Sequence, residues 1–290
     1  MCCAVCFIRD ICRDIAIVPK SLTWKWTAEK CPDFPTYETF QDTFSFFVNK
    51  TLFFLGDSIS QEQFYSLVYL FEGKMRDPPT QCREEVPVNT VTQKIGEIEC
   101  FKFKSHHVTL LYFRRDRFFD VQGMPPNLTF PGSSFFKDLG ADFQALAIDV
   151  LIVNVGAHTA SPSYVWKYEY ISKVFLQEIR QHYSGHLIFR NSMPGHPGCE
   201  NFSSPELNFF NKSHDDKYGW QTFGIMNQFW NSTIHNYSDP KIHILQADKI
   251  TRDRPDGHTN PGKDCLHYCL PGSLDTLNFQ LAMLMKTLSF

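Results

Sequence analysis

Thr51-Leu-Phe-Phe-Leu-Gly-Asp-Ser-Ile-Ser60 is an apolar run that stops abruptly at Gly56-Asp57-Ser58, and residues 61 to 71 continue it with helical spacing. That order predicts a strand, a tight turn and a helix, with a serine at the turn. At the carboxyl edge of a sheet such a serine holds its hydroxyl over a crevice, and the N–H groups of the next helix point the same way. A nucleophile suits that address. A short polar side chain there also caps a helix, so Asp57 or Ser58 has a purely structural use as well. The choice turns on partners elsewhere in the chain.

The chain has 290 residues, 43% hydrophobic and 20% charged, enough to bury the core of one large domain. We divide it into an irregular Cys-containing segment at 1–35, laid over the domain by Trp24, Trp26 and Cys31, and a single domain at 36–290. A net charge of −3 with no long block of like charges excludes a nucleic-acid footprint and a polybasic anchor. No apolar run is long enough to cross a bilayer. Met1 to Ile8 is apolar but has no basic flank, so it reads as a poor signal peptide and a shortened leader. Ten cysteines, several among Gly, Pro and polar residues, point to disulfides and the secretory route. Asn-x-Ser/Thr sequons at Asn49, Asn127, Asn201, Asn211, Asn231 and Asn236 point the same way. Cys265-x3-Cys269 around His267 has some zinc character, but no second knuckle accompanies it, and disulfides are the expected use.

Outward from the opening stretch, residues 37–48 carry Phe40, Phe44 and Phe47 at helical spacing. Residues 98–103 and 108–113 read as a hairpin running into Arg114. Ile148 to Val153 and His186 to Arg190 read as buried parallel strands, the first ending at Asn154. Helices are expected over 164–182, 218–234 and 273–288, a last strand over 242–245, and an insertion loop over 197–215. Alternating strands and helices predict an α/β fold with right-handed crossovers and a mostly parallel central sheet. In such a sheet the strand ends share one crevice, so Ser58, Asn154, Arg190 and the segment after 245 converge.

That last segment holds Asp264-x-x-His267. On a helical turn these two side chains share a face, so the carboxylate steadies the imidazole and the imidazole takes the proton of Ser58. A hydroxyl is a poor nucleophile until such a base is adjacent. Asp256-x-His258 is the rival pair in the same loop. The Ser58 N–H and the Asn154 amide are the natural donors for a developing oxyanion.

Gly56-Asp57-Ser58, Asn154-Val-Gly156-Ala-His158, Phe189-Arg190-Asn-Ser-Met-Pro194-Gly195-His196 and the long block from Asp264 to Asn278 resemble successive blocks of the trichome birefringence-like/PC-esterase proteins of the GDSL/SGNH superfamily. The resemblance runs from about residue 20 to the end. It implies a three-layer α/β/α flavodoxin-like core, disulfides, a Golgi or secreted location, and O-acetylation of a cell-wall polysaccharide through an acetyl-serine. Ser58 is then the nucleophile, His267 the base and Asp264 its orienter. Gly56, Asp57, Asn154, Arg114 and Arg190 belong to the oxyanion and substrate-binding set. The sequence departs from that pattern at Thr159-Ala160 after His158, where plant members carry an aromatic pair, and in the short step from His196 to Cys199.

The expected partners are an acetyl donor and a polysaccharide acceptor, with no cofactor and no metal. Hydrolysis of the same acyl-serine is the runner-up. A non-catalytic glycan-binding relative using Trp166 or Trp220, and a structural zinc protein, are the readings from other classes.

Overall fold

The computed structural model describes residues 40–86, 98–116, 118, 133–154, 156–159, 165–211 and 214–290. The expectations for residues 1–35, for Asn127 and for the Trp166 side chain lie outside the described part.

The opening stretch forms β1 (Thr51–Gly56) and α2 (Ser58–Lys74), preceded by a short helix α1 (Phe40–Phe44). β2 (Thr80–Gln81), β3 (Ile98–Phe103) and β4 (Val108–Arg114) follow. Next come α3 (Ser133–Ala145), β5 (Val150–Val153), α4 (Val165–His182), β6 (His186–Arg190), α5 (Thr222–Tyr237) and β7 (Ile242–Leu245). α6 (Ala247–Thr251), β8 (His258–Asn260), β9 (Asp264–Tyr268) and α7 (Ser273–Met285) complete the order.

Seven strands form one sheet in the order β2-β3-β4-β1-β5-β6-β7. β4, β1, β5, β6 and β7 run parallel, and β2 and β3 add an antiparallel edge. Counted by parallel strands alone the order is 2-1-3-4-5, the flavodoxin-like arrangement. The chain leaves β1 for β4 on one side and reaches β5 on the other. β1 therefore ends at the switch point of the sheet, where an open α/β fold has its crevice.

The unbroken apolar strands are explained by cover on both faces. Phe53, Leu55, Leu111, Leu151 and Phe189 pack with α3, α4 and α5 on one side. Leu52, Phe54, Leu110, Ile152 and Ile188 pack with α2, α6 and α7 on the other. The alternation is the two-residue period of a strand, and it yields three layers. Phe53 is fully buried and meets Phe143 of α3 edge to face at 5.6 Å. Phe53→Ala is therefore expected to cost about 3–5 kcal/mol in urea unfolding followed by circular dichroism. A loss under about 1 kcal/mol would contradict this packing.

α3 was not anticipated from the sequence, in part because Gly140 lies inside it. A Cβ on Gly140 would come within 2.5 Å of the Cβ of His182, so the glycine lets α3 approach the end of α4. Within the described part of the expected helix at 37–48, the α-helix covers Phe40–Phe44 and gives way to a 3₁₀ turn at Ser45–Phe47. The zinc reading is overturned because both sulfurs of its cysteine pair are in disulfides. Cys265 bonds Cys199 and Cys269 is disulfide-bonded too. Cys82 bonds Cys100, tying the polar loop after α2 to β3.

α2 is fastened to α7 by a buried polar ladder. Asn278 Nδ2 donates to Gln63 O at 3.0 Å and to Ser66 Oγ at 2.9 Å, and Ser66 Oγ donates to Asp275 Oδ1 at 2.6 Å. The helix that opens at Ser58 is thereby locked to the helix that follows His267. Both halves of the candidate site share one rigid frame.

Candidate active site

Ser58 is the first residue of α2, and Asp57 is its N-cap. The Ser58 Oγ lies 2.7 Å from His267 Nε2, and His267 Nδ1 lies 2.6 Å from Asp264 Oδ2. A carboxylate can only accept, so Nδ1 carries the imidazole proton and donates it, leaving Nε2 as the acceptor for the serine O–H. Residues 209 positions apart thus meet in one hydrogen-bonded relay.

Asp264 and His267 do not lie on a helical turn. They belong to β9, whose pairing with β8 slips: His258 faces Tyr268 and Asn260 faces Asp264, so β9 carries two more residues than its partner between the same rungs. This bulge brings i and i+3 to the same side, which a regular strand would not do. Asp264 Oδ1 stabilises it by accepting the N–H groups of Leu266 at 3.0 Å and His267 at 3.1 Å.

Burial alone would raise the Asp264 carboxyl. The His267 imidazole and the two bulge N–H groups outweigh burial and hold it well below the usual carboxylate range. Burial alone would lower His267. The hydrogen bond to Asp264, helped by the charges of Glu62, Asp264 and Asp57, outweighs it and sets His267 above the usual histidine value.

Asp57 is a hub. Its Oδ1 accepts Ile59 N–H at 3.1 Å and Ser60 N–H at 3.4 Å, and its Oδ2 accepts Ala157 N–H at 3.2 Å. One side chain thus caps α2 and ties the β5 loop to the nucleophile turn. The cap takes the second and third N–H groups of α2, and the Ser58 N–H has no acceptor among the described residues. It is an orphan donor at a helix N-terminus. Gly56 has no room for a side chain, because a Cβ would stand 2.3 Å from Ser60 Oγ and 3.2 Å from Asn154 O.

Asn154, 2% exposed, donates through Nδ2 to Arg190 O at 2.8 Å and to Ser192 Oγ at 3.4 Å. It braces β5 against the β6 loop. The longer contact leaves one amide hydrogen that a ligand could redirect.

Other expected residues stand elsewhere. Arg190 is 1% exposed, and its guanidinium lies behind the turn, donating to Ser60 Oγ at 2.9 Å and lying 3.9 Å from Asp57 Oδ1. Arg114 is in register beside Gly56, but its guanidinium is exposed and paired with Asp116 at 2.9 Å. Gly56 and Asp57 shape the turn. In the rival pair, Asp256 binds Arg254 at 2.8 Å, while His258 is fully buried between His196 Nδ1 at 2.7 Å and His267 O at 3.0 Å. Asp256 therefore does not orient it.

Glu62 is a member that sequence reasoning missed. One turn into α2 and 3% exposed, it accepts Tyr268 N–H through Oε2 at 3.1 Å, while Oε1 has no partner among the described residues. Burial, offset in part by His267 and the Tyr268 N–H, pushes its carboxyl up to about 8. The carboxylate hydrogen-bonded to the imidazole is Asp264. Only its position one turn after Ser58 could have flagged it.

Among named relatives, trichome birefringence-like protein 14 of Arabidopsis thaliana is 22% identical over 88% of this chain and 74% of its own length. Xyloglucan O-acetyltransferase 4 of Populus trichocarpa is 23% identical over 92% of this chain and 72% of its own. The periplasmic domain of a Salmonella ser. Paratyphi A lipopolysaccharide acetyltransferase superposes with a TM-score of 0.49 at 12% identity, over 89% of this chain and 98% of that domain. The fold assignment rests on the strand order rather than on that superposition. A family profile matches residues 39–194, which span β1 to the loop after β6 and include Ser58 and Asn154 but not Asp264 or His267. That match covers more than half of the sequence, and by it the chain belongs to the PC-Esterase family, the GDSL/SGNH-like acyl-esterase family found in Pmr5 and Cas1p.

Proposed function

We propose that this protein is a serine-dependent O-acetyltransferase that moves acetyl groups to hydroxyls of a polysaccharide. The observation that carries the reading is the continuous relay Ser58–His267–Asp264 at the sheet's switch point. Ser58 Oγ attacks the carbonyl carbon of the acetyl donor while its proton passes to His267 Nε2. The Ser58 N–H, at the positive end of α2, receives the oxyanion, joined by the Asn154 hydrogen released from Ser192. The intermediate collapses by expelling the donor's leaving group, which takes the proton from Nε2. A sugar hydroxyl then gives its proton to Nε2, attacks the acetyl-Ser58 carbonyl and displaces the Ser58 oxygen, which recovers that proton.

Water in place of the sugar hydroxyl completes hydrolysis by the same steps, and the acyl-esterase description of the family favours that as the second reading. Relatives named xyloglucan O-acetyltransferase support transfer to a polysaccharide. The disulfides fit the oxidising secretory route, and we place the protein in the Golgi lumen or outside the cell. Among the described residues no helix is long and apolar enough to cross a membrane.

Brief exposure to a chromogenic acetyl ester followed by peptide mass spectrometry should find one acetyl group on Ser58. An acetyl group elsewhere, or none in a protein that turns the ester over, would refute the acyl-serine. With the adduct in hand, the ratio of acetylated oligosaccharide to free acetate separates transferase from esterase.

A further inference from the structure

Beside the relay, at the carboxyl ends of β6 and β7, lies a cavity of about 320 Å³ walled by the loops after β6, by α5 and by α6. Its size is that of a small-molecule site. It adjoins Asn154 through Ser192, which lines it and whose Oγ lies 3.4 Å from Asn154 Nδ2. β6 stands two places from β1 in the sheet, so the ends of these two strands are about 10 Å apart. We propose that this cavity is a distal saccharide subsite, holding an uncharged sugar unit of the acceptor chain while a neighbouring unit is acetylated at Ser58. The proposal rests on the acetyl-transfer reading and adds to it where the acceptor lies.

The lining has the mixed character a sugar ring needs, apolar for its C–H faces and polar for its hydroxyls. Phe210 and Trp220 supply the apolar part. Trp220 is held rigidly: Tyr218 stacks on it at 4.8 Å, and Gly195 lies so close that a Cβ would approach its ring within 2.3 Å. Gln221, Asp248 and Arg252 supply the polar part. The Gln221 carboxamide and the Arg252 guanidinium have no hydrogen-bond partner among the described residues, and Arg252 lies over the Phe210 ring at 5.9 Å. Asp248 commits only Oδ1, to Asn191 at 2.6 Å. One carboxylate and one guanidinium leave no surplus of positive charge for a phosphate-bearing acetyl donor. His214, the other titratable group on the wall, is stacked on Phe209 at 3.9 Å. The balance selects a neutral, hydroxyl-rich ligand.

Gly224 is an independent sign. It lies inside α5 and lines the cavity, and a Cβ added there meets nothing within 4 Å. A glycine inside a helix costs roughly 1 kcal/mol relative to alanine. Here no close neighbour demands it, and the space it leaves belongs to the cavity.

That open space supplies the test. Gly224→Phe fills the cavity, Arg252→Ala removes a polar contact, and Gly73→Phe, at the open glycine of α2, is the control outside it. Neutral xylo- and cello-oligosaccharides of graded length are titrated by calorimetry, and the longest binder then serves as acceptor with a chromogenic acetyl ester as donor. Expected is tighter binding by longer oligosaccharides, and at least a tenfold rise in oligosaccharide Kd and KM in both cavity variants. Ester turnover without acceptor should stay within twofold of wild type in all three. A Gly224→Phe protein that binds and acetylates the oligosaccharide as wild type does would overturn the subsite, as would a wild type that binds no neutral oligosaccharide. A rise confined to the KM of a phosphate-bearing donor such as acetyl-coenzyme A would give the cavity to the donor and also refute the proposal. Failure of the acyl-serine reading is distinguishable, because it shows as ester turnover that survives loss of Ser58, while the calorimetric arm involves no chemistry.

Discussion

Ser58→Ala is expected to lower turnover of a chromogenic acetyl ester on the order of 10⁴-fold or more, with His267→Ala close behind. The two atoms are 2.7 Å apart and act as one unit, since the hydroxyl is a poor nucleophile without the base and the base has no proton to take without the hydroxyl. The double variant should therefore be scarcely worse than either single one. Stability should hold. Ser58 sits at the first position of α2, where alanine is a better helix former, and the cap belongs to Asp57, so unfolding should shift by no more than about 0.5 kcal/mol. Ser58→Ala with more than a tenth of wild-type turnover would remove the nucleophile assignment. Additive losses in the double variant would dissolve the relay into two separate effects.

The strand–turn–helix around Ser58 was legible because an unbroken apolar run, the mark of a strand buried on both sheet faces, gives way to helical spacing after Gly56-Asp57-Ser58. The partnership of Asp264 and His267 was also legible, though for a different reason from the one spacing suggested. A helical turn and a bulged strand both bring i and i+3 together, so the interval in sequence cannot separate them. What distinguishes them is the pairing of β9 with β8, a contact between two segments, and the Asp264 bonds to the bulge N–H groups. Arg190 belongs to the expected crevice set because it ends a strand. A strand-end residue can point up into the crevice or back under the turn, and only the neighbouring loops decide. Glu62 was invisible for the converse reason: a charged residue on a helix normally marks a solvated face, and here the β9 strand covers it. The cavity beside the relay depends on how α5 and the loops after β6 stand apart, which no local pattern encodes.

The bulge also makes Asp264→Asn more informative than its size suggests. Asp264 Oδ1 accepts two backbone N–H groups and Oδ2 accepts the His267 Nδ1–H. An asparagine keeps its oxygen on the backbone pair, because turning it over would set an NH₂ against two donors. Its Nδ2 then donates to His267 Nδ1, and the imidazole must carry its proton on Nε2. In that tautomer Nε2 cannot accept from Ser58, so kcat should fall by about 10³–10⁴-fold while the fold is kept. The pH dependence gives a second readout. His267 must be neutral to act as a base, and its value in the wild type is raised, so kcat/KM should fall as pH drops through a point above the ordinary histidine value of 6.5. The asparagine removes the hydrogen-bonded anion that opposes burial, so the residual activity should keep its acid limb to lower pH than the wild type does. An acid limb at the wild-type position would mean that Asp264 does not set the protonation of His267. A kcat within tenfold of wild type would mean that it does not set its tautomer, and the third member of the relay would have to be sought elsewhere.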